Sequence, residues 1–397
     1  MNVTKALIIK LFSAASIQRW NDKMRPVDLS ELDKQSHKMI IAYLLGKLEE
    51  ERKRVVPWID IIEGGIFELL QRIVLTDLKP QIYYRIKADS EKYQKLNEWA
   101  YKELQPVLAS LGNEFCDKYR NHFRTSDDTF SKRILSAAHF YATRWEFKFI
   151  ERANPDGYEI EDIKKDIVRE NEMYYDLEGM KELVLYSKLI NFVDLCGELR
   201  FQIRWSTTPR VPRTSVLGHM LLVAILSYLF SLQIEACKSR RINNYYTGLF
   251  HDLPEVLTRD IISPVKKSVK GLARLIKLYE KEEMERNVYA LLKNEWRKDM
   301  KLFTEDEFRN VVHINGKIVK KNFDEINSSY NTDEYGPRDG ELVKAVDELS
   351  SFVEAYTSIR HGISAPELNR AKTTIRDRYA GKMVAGINFS GLLADFD

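Results

Sequence analysis

From Val216 to Ile234 the chain runs for nineteen residues without Lys, Arg, Asp or Glu, and any fold it adopts has to hide that stretch from water. The length is near the lower limit for a helix that crosses a bilayer. The polar content points elsewhere: His219, Ser227, Ser231 and Gln233 interrupt the run, and the flanking segments PRVPRTS and EACKSRR are both basic, so no charge asymmetry orients a span. A helix buried in a protein core, with no membrane partner, is the expectation.

Around this stretch the apolar residues recur at three- and four-residue spacing, as in MIIAYLLGKLEEE, FSKRILSAAHFYATRWEF and GELVKAVDELSSFVEAY. The pattern predicts an all-α protein. One segment departs from it: VVHINGKIVKK, residues 311–321, sets Asn315-Gly316 between β-branched runs and predicts a small β-hairpin. With 397 residues, 44% of them apolar and 30% charged, a sizeable core is available. A formal net charge of only +3 leaves a nucleic-acid partner unsupported. Cys116, Cys196 and Cys237 are widely spaced with no CxxC pattern, which reads as reduced thiols and a cytoplasmic location. The apolar run near the N-terminus is broken by Lys10 and is expected to form a first helix rather than a cleaved signal.

The chain also resembles itself. SIQRWNDKMRPVDLSELDKQSHKMI, from Ser16, can be laid on FQIRWSTTPRVPRTSVLGHMLLVA, from Phe201; each has Arg-Trp, a loop with Pro and Arg, then a His leading a long helix, which sets His37 opposite His219. Further on, Glu68 falls opposite Glu255 and His139 opposite Asp347. The expectation is two copies of one helical unit, residues 1–170 and 171–397, joined by a polar connector and forming a pseudo-dimer within the chain. The hairpin is an insert in the second copy, placed to act as a lid. Where the second copy has His251-Asp252 the first has Gly64-Gly65, so the first copy lacks the groups a metal would need.

The second copy carries the ordered set His219, His251, Asp252 and Asp347 on three helices. Imidazole nitrogens with carboxylate oxygens suit a divalent first-row metal, or magnesium. Asp347 stands among Leu342, Val346, Leu349 and Phe352, a helical stripe in which a lone carboxylate needs a cation or several donors. Pro254 ends the helix bearing His251-Asp252 and leaves Glu255 at the start of a new turn, placed to take a proton from water. A metal lowers the pKa of water enough for attack on phosphorus. Arg204, Arg210 and Arg213 ahead of His219 offer guanidinium forks for phosphate oxygens. Trp205 offers a face for a sugar or base. The first copy keeps the pair as Arg19-Trp20 without a metal set, which favours a partly architectural role for it.

The residues RW, RTSVLGH, LFHDLPEVLTRDIISPVK and LVKAVDEL together resemble the HD-domain metal-dependent phosphohydrolases, closest to the YfbR-like 5′-deoxynucleotidases, over about residues 200–365. The resemblance implies tandem HD-like helical bundles, the first degenerate. It further implies one divalent metal (Mn, Co, Fe, Zn or Mg) held by His219, His251, Asp252 and Asp347. Glu255 and Asp260 would assist the attacking water and the leaving alcohol, with Arg204, Trp205 and Lys266 at the substrate. Leu217-Gly218 precedes His219 where those enzymes have Ser-Glu, and Arg259 replaces a Gly. The implied activity is removal of phosphate from a nucleotide-like monoester. The rival readings are a nucleotide-sensing module without turnover and a phosphodiester or pyrophosphate hydrolase of the same superfamily. Homo-oligomers are also expected from the resemblance.

Overall fold

Ser215 caps the charge-free stretch, its hydroxyl accepting from the Gly218 amide at 3.0 Å, and the helix Val216–Gln233 follows. Every residue from Val216 to Leu232 is buried, and the burial is by protein: the helix packs on Lys238–Phe250, Gly340–Arg360 and Glu31–Glu51. The computed structural model describes residues 1–76, 78–124, 129–185, 187–259 and 269–397.

Glu31–Glu51 is the long buried helix of the N-terminal half. Ser30 caps it by accepting from the Asp33 amide at 3.2 Å, and it packs on Phe130–Ala153 and Trp58–Leu75. The two central helices lie against each other, so one hydrophobic cluster runs from Val3 to Phe396. Polar contacts cross between the halves as well: Ser215 Oγ donates to Asp33 Oδ1 at 2.5 Å and Tyr228 donates to Glu63 at 2.9 Å. Gly218 permits this approach, because a Cβ there would stand 2.7 Å from Asp33 Oδ1 and 3.3 Å from Leu32.

The fold is an all-α helical bundle with a small β insert. The predicted hairpin forms from Val311–Ile314 and Lys317–Lys320, with Asn315 (φ 49°) and Gly316 (φ 75°) both left-handed in its turn. A second hairpin, Met383–Val384 with Ile387–Asn388, was not anticipated. Its strands are too short to show alternation, and Ala385 takes φ 48°, which alanine seldom does. The polar stretch expected as a connector also holds a regular helix, Ile160–Glu172. Ile160, Ile163 and Ile167 share one of its faces and close on Leu29, Phe147 and Ile150, a small cluster whose three-residue periodicity is diluted by eight charged neighbours.

Candidate metal centre

Three helices meet at the site. His219 lies in the first turn of Val216–Gln233, His251 and Asp252 just past the end of Lys238–Phe250, and Asp347 midway along Gly340–Arg360. The first two helices touch at backbone distance, for a Cβ on Gly248 would stand 2.8 Å from the Ala224 Cα and amide nitrogen. That contact draws the two imidazoles together, with ring centroids 5.5 Å apart. Leu342, Val346, Leu349 and Phe352 are buried as expected, while Asp347 turns to the edge of that stripe with its side chain 25% exposed.

The four side chains converge. His219 Nε2 stands 2.9 Å from Asp347 Oδ1 and 3.8 Å from Asp252 Oδ2; His251 Nε2 stands 3.2 Å from Asp252 Oδ2 and 4.0 Å from Asp347 Oδ1. One ligand atom from each of His219, His251 and Asp347 falls within a common 4.8 Å. His251 Nδ1 donates to the Gly248 carbonyl at 2.8 Å, which leaves Nε2 as the ring atom turned into the site, able to ligate once it gives up its proton. That Nε2 is buried and makes no hydrogen bond of its own. Burial alone would depress the His251 pKa, but Asp252 and Asp347 outweigh it and hold the imidazole up at about 9. The negative field that attracts a proton there equally suits a divalent cation, so the residues fit a metal.

Glu354, two turns along the same face of the helix from Asp347, was missed in the sequence. Its carboxylate is buried and receives Trp205 Nε1 at 2.7 Å, Thr214 Oγ1 at 2.6 Å and Arg204 Nε at 3.3 Å, and it lies 3.9 Å from His219 Nδ1. Burial would raise its pKa, but Arg204, Arg210 and His219 outweigh that and hold it well below the usual carboxylate range. Arg204 Nη1 reaches Asp252 Oδ2 at 3.6 Å. Glu354 therefore places its charge beside one candidate ligand, His219, and is linked to another, Asp252, through Arg204. The apolar pattern GELVKAVDELSSFVEAY conceals it, although a Glu at the core-facing position was a visible signal.

The structure brings the remaining expected residues together unevenly. Arg204 and Trp205 border the site but are turned onto Glu354, with the Trp205 ring packed against Ala355, Ala365 and Leu368. Arg210 is buried, bonded to Thr214 and 4.0 Å from Glu354; Arg213 is exposed. Glu255 begins the short helix Glu255–Thr258, and with Glu354, Asp252 and Asp347 it raises the Arg204 pKa against the effect of burial. Asp260 and Lys266 lie outside the described residues. Instead of the hairpin itself, the segment before it borders the site: Phe308 lies 6.2 Å from the His251 ring, and burial raises the pKa of Glu307, which His251 and Lys277 oppose. The hairpin is tied back to the bundle by the bridge between Val311 and Arg338.

The N-terminal half repeats part of this arrangement. Trp20 Nε1 and Arg19 Nε donate to Glu146 Oε2 at 3.0 and 2.9 Å, as Trp205 and Arg204 do to Glu354, and both tryptophans take φ 57°. Lys34, not His37, stands as far beyond the capping Ser30 as His219 does beyond Ser215, and it is bonded to His139. His37 lies a turn further on, its Nε2 on the Val193 carbonyl at 2.9 Å and its Nδ1 facing Arg200 at 3.3 Å.

Residues 196–376, just under half of the chain, match the family model of the HD domain, and all four candidate ligands lie within that match. HD domains are mostly metal-dependent hydrolases, and the superfamily is one of metal-dependent phosphohydrolases. No curated protein matches the chain.

Proposed function

We propose that the C-terminal half is a metal-dependent phosphohydrolase that removes phosphate from a nucleotide-like monoester, with the N-terminal half as a degenerate copy lacking the ligand set. The observation that carries the reading is the convergence of His219, His251, Asp252 and Asp347 about the buried, unbonded His251 Nε2. These four residues would hold the cation, which supplies Lewis acidity toward a phosphoryl oxygen and the attacking water.

The chain's own residues do the rest. Glu255 takes the proton of the attacking water as the new P–O bond forms, and Asp260 returns a proton to the alcohol as the ester P–O bond breaks. Glu354 faces His219 Nδ1 at 3.9 Å, placing negative charge behind the ring, and keeps Arg204 against Asp252. Arg213, exposed ahead of the His219 helix, is available to meet the phosphate dianion; Arg204 and Arg210 act mainly as braces.

The test is phosphate release from ribo- and deoxyribonucleoside monophosphates and from an aryl phosphate, with Mn²⁺, Co²⁺ or Mg²⁺ added to metal-stripped protein. Release that requires metal and disappears in Asp252→Ala is the expected result. Absence of release with every metal and every substrate refutes the reading.

A further inference from the structure

The N-terminal counterpart of the metal centre is basic. Lys34 is fully buried, and among the described residues no carboxylate oxygen comes within 4.0 Å of its ammonium; its bonded partner is the imidazole of His139, which carries no compensating charge. Burial and the neighbouring Arg19 and Lys38 hold the Lys34 pKa well below its ordinary value, and an anion joining the group would restore its charge. The neighbouring carboxylates are committed elsewhere: Glu68 to Lys38, Glu146 to Arg19 and Arg200, and Glu31 to Arg19 at 2.8 Å and Arg72 at 3.6 Å. Arg19, Lys38 and Arg72 thus face Glu31, Glu68 and Glu146, and a protonated Lys34 adds one cation in excess. On the far side of Glu146, Arg200 and Asp33 add one group of each sign.

The cluster has an edge at solvent, although Lys34 and Lys38 themselves are fully buried. The side chains of Glu68 and Arg72 are 26% and 22% exposed, and His139 is half-buried. Beside His139, Phe140 stacks on Tyr84 at 6.4 Å and on Tyr174 at 5.7 Å, forming an aromatic wall next to the basic groups. Lys34 and the guanidinium fork of Arg72, which holds Glu31 only at 3.6 Å, suit an anion with several oxygens.

We propose that the N-terminal half contains a second ligand site, an oxyanion pocket built on Lys34, His139 and Arg72, which takes a phosphorylated small molecule with an aromatic body. Lys34 answers the phosphate at the place where the C-terminal half has a metal-binding imidazole, so the site needs no metal. It also stands or falls independently of the hydrolytic reading.

The test is calorimetric titration of full-length, metal-stripped protein in chelator with inorganic phosphate and with adenosine 5′-monophosphate. Wild type and Asp252→Ala should bind phosphate equally, while Lys34→Met and Arg72→Ala should each weaken binding by at least about tenfold. Arg72 lies at the mouth, so its variant keeps the test valid should Lys34→Met fail to fold, which circular dichroism would report. Tighter binding of the nucleotide than of phosphate supports the role of the aromatic wall; equal binding overturns that part. No heat at about 10 mM phosphate, or binding lost in Asp252→Ala and kept in both N-terminal variants, overturns the site itself.

Discussion

Replacing Glu354 by Gln keeps the shape of the side chain and removes its charge. In the wild type the carboxylate is 1% exposed and accepts bonds from Trp205, Thr214 and Arg204, with Arg210 at 4.0 Å. An amide can present an oxygen to one side of this cage only; its NH₂ then confronts donors on the other. Arg210, with its side chain 2% exposed, loses its counter-charge, and Arg204, 11% exposed, keeps only Asp252 at 3.6 Å, in a site that water cannot fully reach. Breaking one partner out of a buried pair costs about 3–5 kcal/mol, and the isosteric change sets the expectation at the lower end, about 3 kcal/mol. The His219 ring also loses the group facing Nδ1, which should weaken metal affinity by about 10- to 100-fold. Glu146→Gln is the matched control: it is fully buried and holds Arg19, Trp20 and Arg200 in the same fashion. It should cost similar stability while leaving metal affinity unchanged. Urea unfolding measures the first quantity and competition titration with Mn²⁺ the second. Equal metal affinity in wild type and Glu354→Gln, or equal losses in both variants, would refute the coupling of Glu354 to the ligands.

Other expectations follow from single contacts. His251→Ala and Asp347→Ala should each lower metal affinity by more than about a hundredfold, exceeding the effect of Glu354→Gln, as read by the same titration. Gly248→Ala drives a methyl group into the Ala224 backbone and should cost about 1–3 kcal/mol in urea unfolding while raising the metal concentration needed for half-maximal activity. Burial and the neighbouring Arg200 depress the pKa of His37 from 6.5 to about 3. Between these values the unfolded chain binds a proton that the folded protein refuses, so stability from this group is complete above pH 6.5 and falls as the pH drops toward 3. The slope reaches about 1.4 kcal/mol per pH unit, and a His37→Gln variant should show a shallower acid limb; an unchanged limb would be the contrary result.

Local chemistry was enough to identify several features without coordinates. The charge-free run had to be buried, Asn315-Gly316 had to turn a hairpin, and Pro254 had to keep one helix from running on into Glu255, although that helix ends at Phe250, before His251-Asp252 rather than after them. The types of the four candidate ligands, and their order along the chain, were legible for the same reason. The partners of buried charges were not. Glu354 reads as an ordinary helical glutamate until Arg204, Trp205 and Thr214, about 150 residues earlier, are seen to end on it. His37 and Lys34 are one turn apart on a helix, and only the packing of Phe130–Ala153 decides which of them meets His139. Gly218 looked like a missing functional group, yet its place is taken by Asp33 from the other half of the molecule. Periodicity and turn chemistry are properties of neighbours in sequence, whereas charge pairing and close approach belong to neighbours in space. For this protein the sequence alone determined the helices, the first hairpin and the residue types at the site, and the tertiary structure decided which charges answer one another.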